Sequence, residues 1–157
     1  MADSTHTIHQ TQVLAALFSP AFPIGAFSYS HGIEVAISSG DVCDTSTAYD
    51  WIETILLGGS GRNDAILMAN AYKALNLHAI NGVDLAGGRN AEIEVINELA
   101  FALSPGAERA QESCELGINF TRIIKQVYEL DIGLSTPVAY PVAAGLTVRH
   151  LGCELRL

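Results

Sequence analysis

The 157-residue chain carries a formal net charge of −9 at pH 7 and only eight scattered lysines and arginines, so phosphate backbones and anionic membrane surfaces repel it, which argues against nucleic acid and lipid and for a basic, cationic or metal-handling partner. Its 49% apolar content argues against disorder, and its 16% charged content, against a typical ~25%, leaves apolar surface over for a partner. Three dispersed cysteines, an N-terminus with neither a basic nor an apolar segment, and a longest apolar stretch (137–148) that is short and holds two prolines argue against a disulfide framework, a secretory signal and a membrane span of ~20 residues, so a reducing cytoplasm is the expected location.

Helical periodicity dominates the chain. Residues 1–10 read as a flexible tail, with His6 and His9 in it, and 11–157 as one all-α domain. Val13, Leu14, Leu17 and Phe18 mark a short first helix that stops at Ser19-Pro20. Ala48, Trp51, Ile52, Ile55 and Leu56 follow the helical repeat behind the cap candidates Asp44 and Thr45. Gly58-Gly59-Ser60-Gly61 is expected to end that helix through left-handed glycine. Asp64 to His78 form the next helix, with Ile66, Met68, Ala69, Tyr72 and Leu75 as its apolar side. A turn lies between Asn81-Gly82 and Gly87-Gly88. Glu92 to Leu103 turns Ile93, Ile96, Leu99, Ala100 and Leu103 inward, and Ser104-Pro105-Gly106 interrupts the chain. Ala107 to Leu130 is the longest helix, with Leu116, Phe120, Ile123, Ile124 and Val127 on one face. A last helix starts at Pro141, with Val142, Ala143, Leu146 and Val148 apolar, and Leu151, Leu155 and Leu157 follow. Its apolar surface is expected to lack a cover, as in a chain cut short.

Chemistry-bearing patterns are few. Gly59-Ser60-Gly61 begins like a dinucleotide fingerprint, but it lacks the third glycine and follows a helix, and no phosphate loop of the GxxxxGK[ST] type occurs. His31, His78 and His150 are separate and no CxxC or HxxxH is present, so no metal site or cofactor is expected in this chain. Ser28 and Ser30 lie beside His31 with Glu34 beyond, a set that a small serine hydrolase would use. No Gly-x-Ser-x-Gly elbow holds them, and helix capping by Ser28 or Ser30 explains them better. The pairs Glu92/Glu94 and Glu112/Glu115 read as solvated helix faces, and Arg109 as an intrahelical partner of Glu108 and Glu112.

One stretch is unusual: Ser19-Pro20-Ala21-Phe22-Pro23-Ile24-Gly25-Ala26-Phe27-Ser28-Tyr29-Ser30-His31-Gly32-Ile33-Glu34. Prolines, glycines and three aromatics in so short a segment suit either a rigid recognition loop or a buried connector whose aromatics plug the bundle. The segment closely resembles the hallmark motif of the UreF family of urease accessory proteins, S-P-x-x-P-x-G-x-F-x-x-S-x-G-[LI]-E. Trp51 resembles the family tryptophan, and Gly61-Arg62-Asn63-Asp64-Ala65 its G-x-x-D-A turn. Glu108-Arg109-Ala110-Gln111-Glu112-Ser113, followed by Gly117, resembles its R-x-E-S helix with altered spacing at Arg109. Tyr140-Pro141-Val142-Ala143-Ala144-Gly145 resembles its H-P-V-x-x-G segment, with tyrosine in place of histidine.

The resemblance implies a helical bundle of the UreF type, here without the family's last helices, and a homodimer for the full-length family. It implies a scaffold or chaperone, not an enzyme, that joins UreD (UreH in some systems) to the GTPase UreG for nickel insertion into apo-urease and modulates GTP hydrolysis. Nickel and GTP-magnesium would then be handled by the complex. Pro23, Gly25, Phe27, Ser28, Tyr29, His31 and Glu34 become the candidates for the partner surface. The alternatives are a helical hydrolase using Ser28 or Ser30 with His31 and Glu34, and a nonfunctional truncated remnant.

Overall fold

Seven α-helices and one short 3-10 turn account for the regular structure in the computed structural model, which describes residues 2–80, 88–132, 134 and 137–154. The expected turn from Asn81 to Gly87, the side chains of His6 and His78, and the apolar positions Leu155 and Leu157 lie outside the described residues. Among the described residues there is no strand, and the chain is all-α as its periodicity predicts. Helix α1 runs Ala2–Leu17, α2 Ile33–Ser39, α3 Thr45–Leu57, α4 Ser60–Ile80, α5 Gly88–Ala102, α6 Ala107–Tyr128 and α7 Tyr140–His150; the 3-10 turn is Ala26–Ser28.

Helix α7 organises the core. Every residue from Pro141 to Val148 is buried, as expected of a helix that is apolar all round. It packs most extensively on α4, then on α6, and also touches α5. The apolar surface expected to lie open on this helix is therefore covered by its neighbours. Gly145 makes the α4 contact possible: a Cβ there would run into the Met68 carbonyl oxygen and lie 3.1 Å from the Ala71 methyl. The two backbones approach this closely because no side chain separates them.

That approach also selects the inward face of α4. Leu67, Ala71, Tyr72 and Ala74 are buried, whereas Ile66 points outward and Met68 and Leu75 are only half-buried. The expected face holds at Tyr72 and, at its edges, at Met68 and Leu75, but not at Ile66; the small Ala71 meets α7 instead. On α5, Ile93 and Ala100 turn inward as expected, but Leu99 and Leu103 are exposed. Their place is taken by buried Asn97, whose amide donates to the Pro137 carbonyl (3.0 Å) and accepts from the Ala139 N–H (2.8 Å). One side chain thereby satisfies the extended segment that leads into α7.

The ends of α3 separate two kinds of signal. Asp44 caps it as expected: its carboxylate accepts from the Thr47 N–H at 2.9 Å, and the Thr47 hydroxyl accepts from the Asp44 N–H at 3.0 Å. The glycine run does not act as a left-handed stop. Gly58 is right-handed and α4 begins at Ser60. Gly59 and Gly61 instead admit the backbone of Ile55 and Leu56 at 3.0–3.1 Å from where their Cβ atoms would stand.

Candidate partner-recognition site

The segment 19–34 crosses the outer side of α6 and divides its side chains between two destinations. Phe22 and Ile24 turn inward. The Phe22 ring lies 5.5 Å from that of fully buried Phe120, which meets Tyr140 edge-on at 5.4 Å. Such a tilted aromatic series contributes about 0.5–1.5 kcal/mol per pair beyond burial. Pro23, Phe27 and Ser28 turn outward, and Phe27, at the 3-10 turn, is 85% exposed. The segment is therefore connector and presented loop at once, with alternate aromatics serving each role.

Three ties pin the loop to α6. The Asn119 amide donates to the Ile24 carbonyl at 3.0 Å, just before left-handed Gly25. The Tyr29 hydroxyl donates to Glu115 at 2.7 Å; that bond, more than partial burial, raises the phenol above its ordinary value. The same carboxylate accepts from Gln111 at 2.7 Å, and the two bonds hold Glu115 below the usual glutamate value. His31 Nε2 lies 3.8 Å from Glu112, an ion pair when the imidazole is protonated.

Behind His31 sits a cross-tie between helices. Arg109 gives one guanidinium nitrogen to Glu112 at 2.8 Å and another to Asp64 of α4 at 2.7 Å. Glu112 is only 6% exposed, so the expected solvated face of Glu112 and Glu115 is corrected at Glu112: it faces the loop and carries a buried charge that Arg109 compensates. The pairing of Arg109 with Glu112 is intrahelical as expected; its partner Asp64 is not. Burial pushes the Asp64 carboxyl up, Arg109 pulls it down, and Glu112 adds to the rise. Tyr140, close by, is raised by burial and by the Asp64 carboxylate.

His31 itself is left-handed (φ 51°), and Gly32 continues in that region (φ 80°). A non-glycine residue held so costs of order 1–3 kcal/mol and persists where its surroundings fix it; here the two residues swing the chain into α2. Trp51 packs over Gly32, 3.7 Å from where a Cβ would stand. Gly32, not a serine, is the N-cap of α2, with no side-chain cap bond, so the capping role expected of Ser28 or Ser30 is not the one they play. Below the loop a cleft of about 480 Å³ is lined by Ser28 to Gly32, Ile55, Ser60, Pro105, Glu108, Arg109 and Glu112.

Of the candidate residues, Pro23, Gly25, Phe27, Ser28 and His31 lie exposed on the loop with Tyr29 half-buried beside them, and Glu34 is exposed in the first turn of α2. Among the described residues no hydrogen bond or ion pair joins Ser28 or Ser30 to His31, or His31 to Glu34; the carboxylate facing His31 is Glu112. Among them, too, no group of three or more His, Cys, Asp or Glu side chains is placed to hold a metal ion, and no helix is long and apolar enough to cross a membrane. Asp64, Glu112, Glu115 and Asn119 are site residues that sequence reasoning missed. Asp64 and Glu112 offered one signal, their places in the G-x-x-D-A and R-x-E-S motifs.

The sequence is similar to known proteins along nearly its whole length. The sequence model of the UreF family matches residues 42–157. A protein of Ruegeria pomeroyi named urease accessory protein UreF is 37% identical over 154 residues, 98% of this chain and 64% of that protein. Proteins of the same name from Bradyrhizobium diazoefficiens (38% over 149 residues) and Cereibacter sphaeroides (41% over 139 residues) match 90% and 88% of this chain. The chain spans 57% of the length of each of these two. The motif loop lies outside the family-model match but inside the alignment with the Ruegeria protein.

Proposed function

The chain belongs to the UreF family of urease accessory proteins, and on that premise we propose that it is a non-catalytic scaffold in urease maturation. In this reading it joins UreD (UreH in some systems) to the GTPase UreG, modulates GTP hydrolysis by UreG, and with them serves apo-urease during nickel insertion. Nickel is cargo and GTP-magnesium a substrate of the assembly; the chain itself holds neither. It works in the cytoplasm, as a dimer in the assembled state.

The observation that carries the reading is the division of labour in the loop. Tyr29, Asn119 and the Arg109 cross-tie fix its backbone, while Phe27 stands exposed beside Ser28 and, on the following helix, Glu34. A presented aromatic on a fixed backbone loses little conformational freedom on association, which is what an anchor residue needs.

The test is co-purification of the chain with its cognate UreD and UreG in GTP and magnesium, followed by mass determination on a sizing column. A stoichiometric complex is expected, weakened by Phe27→Ser and Glu34→Lys with no change in thermal midpoint. Complexes indifferent to both substitutions would sink the loop assignment, and absence of any complex would sink the scaffold reading. Labelling by a fluorophosphonate that is lost on changing Ser28 and Ser30 would turn the assignment to a hydrolase.

A further inference from the structure

Helix α3 carries more apolar side chain than the fold uses. None of its thirteen residues is buried. Trp51 and Ile55 face the motif loop, whereas Tyr49, Ile52 and Leu56, spaced i, i+3 and i+7, form an adjoining stripe and are 63%, 49% and 56% exposed. That is the spacing with which an amphipathic helix engages a groove. The stripe is flanked by carboxylates: Asp50 and Glu53 share the helix, and the Tyr49 hydroxyl donates to Glu53 at 3.2 Å.

The segment that contains it carries acidic side chains but no lysine or arginine. Residues 1–61 contain no lysine or arginine at all, while Asp3, Glu34, Asp41, Asp44, Asp50 and Glu53 fall within them. The motif loop, α2 and α3 thus contribute carboxylates but no lysine or arginine to the surface, and every lysine and arginine lies from Arg62 onward. A second copy of this chain docked on the same face would bring Asp50 and Glu53 against their like-charged counterparts.

We propose that the outer face of α3 docks a partner protein whose contact patch is apolar at its centre and rich in lysine and arginine at its rim. The apolar stripe supplies the contact area, and the carboxylates supply orientation and a fast, salt-sensitive encounter. The proposal rests on the scaffold reading, because its partner is one of the proteins that reading names.

The experiment measures the affinity of the full chain for its cognate UreD and UreG separately. Three double variants of exposed positions accompany it: Ile52→Ser with Leu56→Ser, Asp50→Lys with Glu53→Lys, and, on the outer side of α5, Val95→Ser with Leu99→Ser. For one partner, Kd rises about tenfold or more with each α3 pair, stays level with the α5 pair, and for the unaltered chain rises with salt. Thermal melts confirm that the variants fold. Equal binding by every variant overturns the proposal. Loss with the serine pair alone means an uncharged partner and overturns the basic rim. A change in the chain's own mass on a sizing column with the serine pair assigns the face to a second copy and overturns it as well. If the unaltered chain binds neither protein, the scaffold reading fails first and the docking face falls with it.

Discussion

Replacing Gly145 by alanine tests the close approach of α4 and α7. The added methyl carbon would meet the Met68 carbonyl oxygen, the Met68 carbonyl carbon at 3.1 Å and the Ala71 methyl at 3.1 Å. None of these atoms can rotate away, since two belong to the backbone and one to an alanine. Restoring an ordinary carbon–oxygen contact of about 3.3 Å therefore means parting the helices. A gap of about 0.5–1 Å forfeits a quarter to a half of each dispersion contact along the seam. Overpacking of this kind costs about 1–3 kcal/mol, and more where the neighbours are rigid. Alanine recovers about 1 kcal/mol through helix propensity. The net expectation is a loss of about 2 kcal/mol, a fall in Tm of about 4–8 °C for a domain of this size. Thermal and urea unfolding followed by circular dichroism read it, with Gly58→Ala as the control, because a Cβ there meets the Thr54 carbonyl at an ordinary 3.4 Å. A Gly145→Ala protein as stable as the parent would refute the packing argument.

Removing the cation of the cross-tie by Arg109→Met leaves Glu112 buried without its charge partner; a loss of about 3 kcal/mol in urea unfolding is expected. The same variant removes the main influence that lowers the Asp64 pKa, so the Asp64 carboxyl, already raised, titrates higher still by NMR. For a carboxyl raised on folding the folded state binds the proton more tightly, so stability gains as pH falls through the folded value, and the gain is larger in the variant. Asp44 has the opposite sign: its pKa is lowered by the cap bonds to Thr47, so its contribution is complete above the ordinary value of 3.8 and lost as pH falls through the folded value beneath it. Asp44→Asn should keep the cap and remove that pH dependence, checked by melts across pH. Ellman's reagent should label exposed Cys43 at once, Cys114 more slowly, and Cys153, whose thiol is buried and raised, only on unfolding. Tyr29→Phe should speed amide exchange in the loop and return Glu115 towards 4.5, and unchanged exchange would mean the Tyr29 tie is dispensable.

The legible parts of the fold were those written in short-range chemistry. Asp44 with Thr47 specifies a helix start within four residues, and the 3.6-residue repeat of α6 places Leu116, Phe120 and Ile124 inward without reference to the rest of the chain. Helix α2 escaped notice because Ile33–Ser39 is too short to show a period and is launched by the left-handed pair His31 and Gly32. On α4 the expected face fails at Ile66, because hydrophobicity rewards its bulk, whereas the packing rewards the small residue opposite Gly145. At the site, the loop stood out by composition, but its anchors did not. Asp64 and Arg109 are 45 positions apart and Tyr29 and Glu115 are 86 apart, and no local pattern links residues so distant.

The central position of α7 also sets a timetable for synthesis. Helix α4 is complete at Ile80, but the helix it packs against most begins only at Tyr140. At roughly 5–20 residues per second, the alanine side of α4 waits about 3–12 s on the ribosome for its partner. Until then the faces that pack on α7, first that of α4 and, as they are made, those of α5 and α6, stay open to water. Folding of this bundle therefore closes late, around a helix made after the three it packs against.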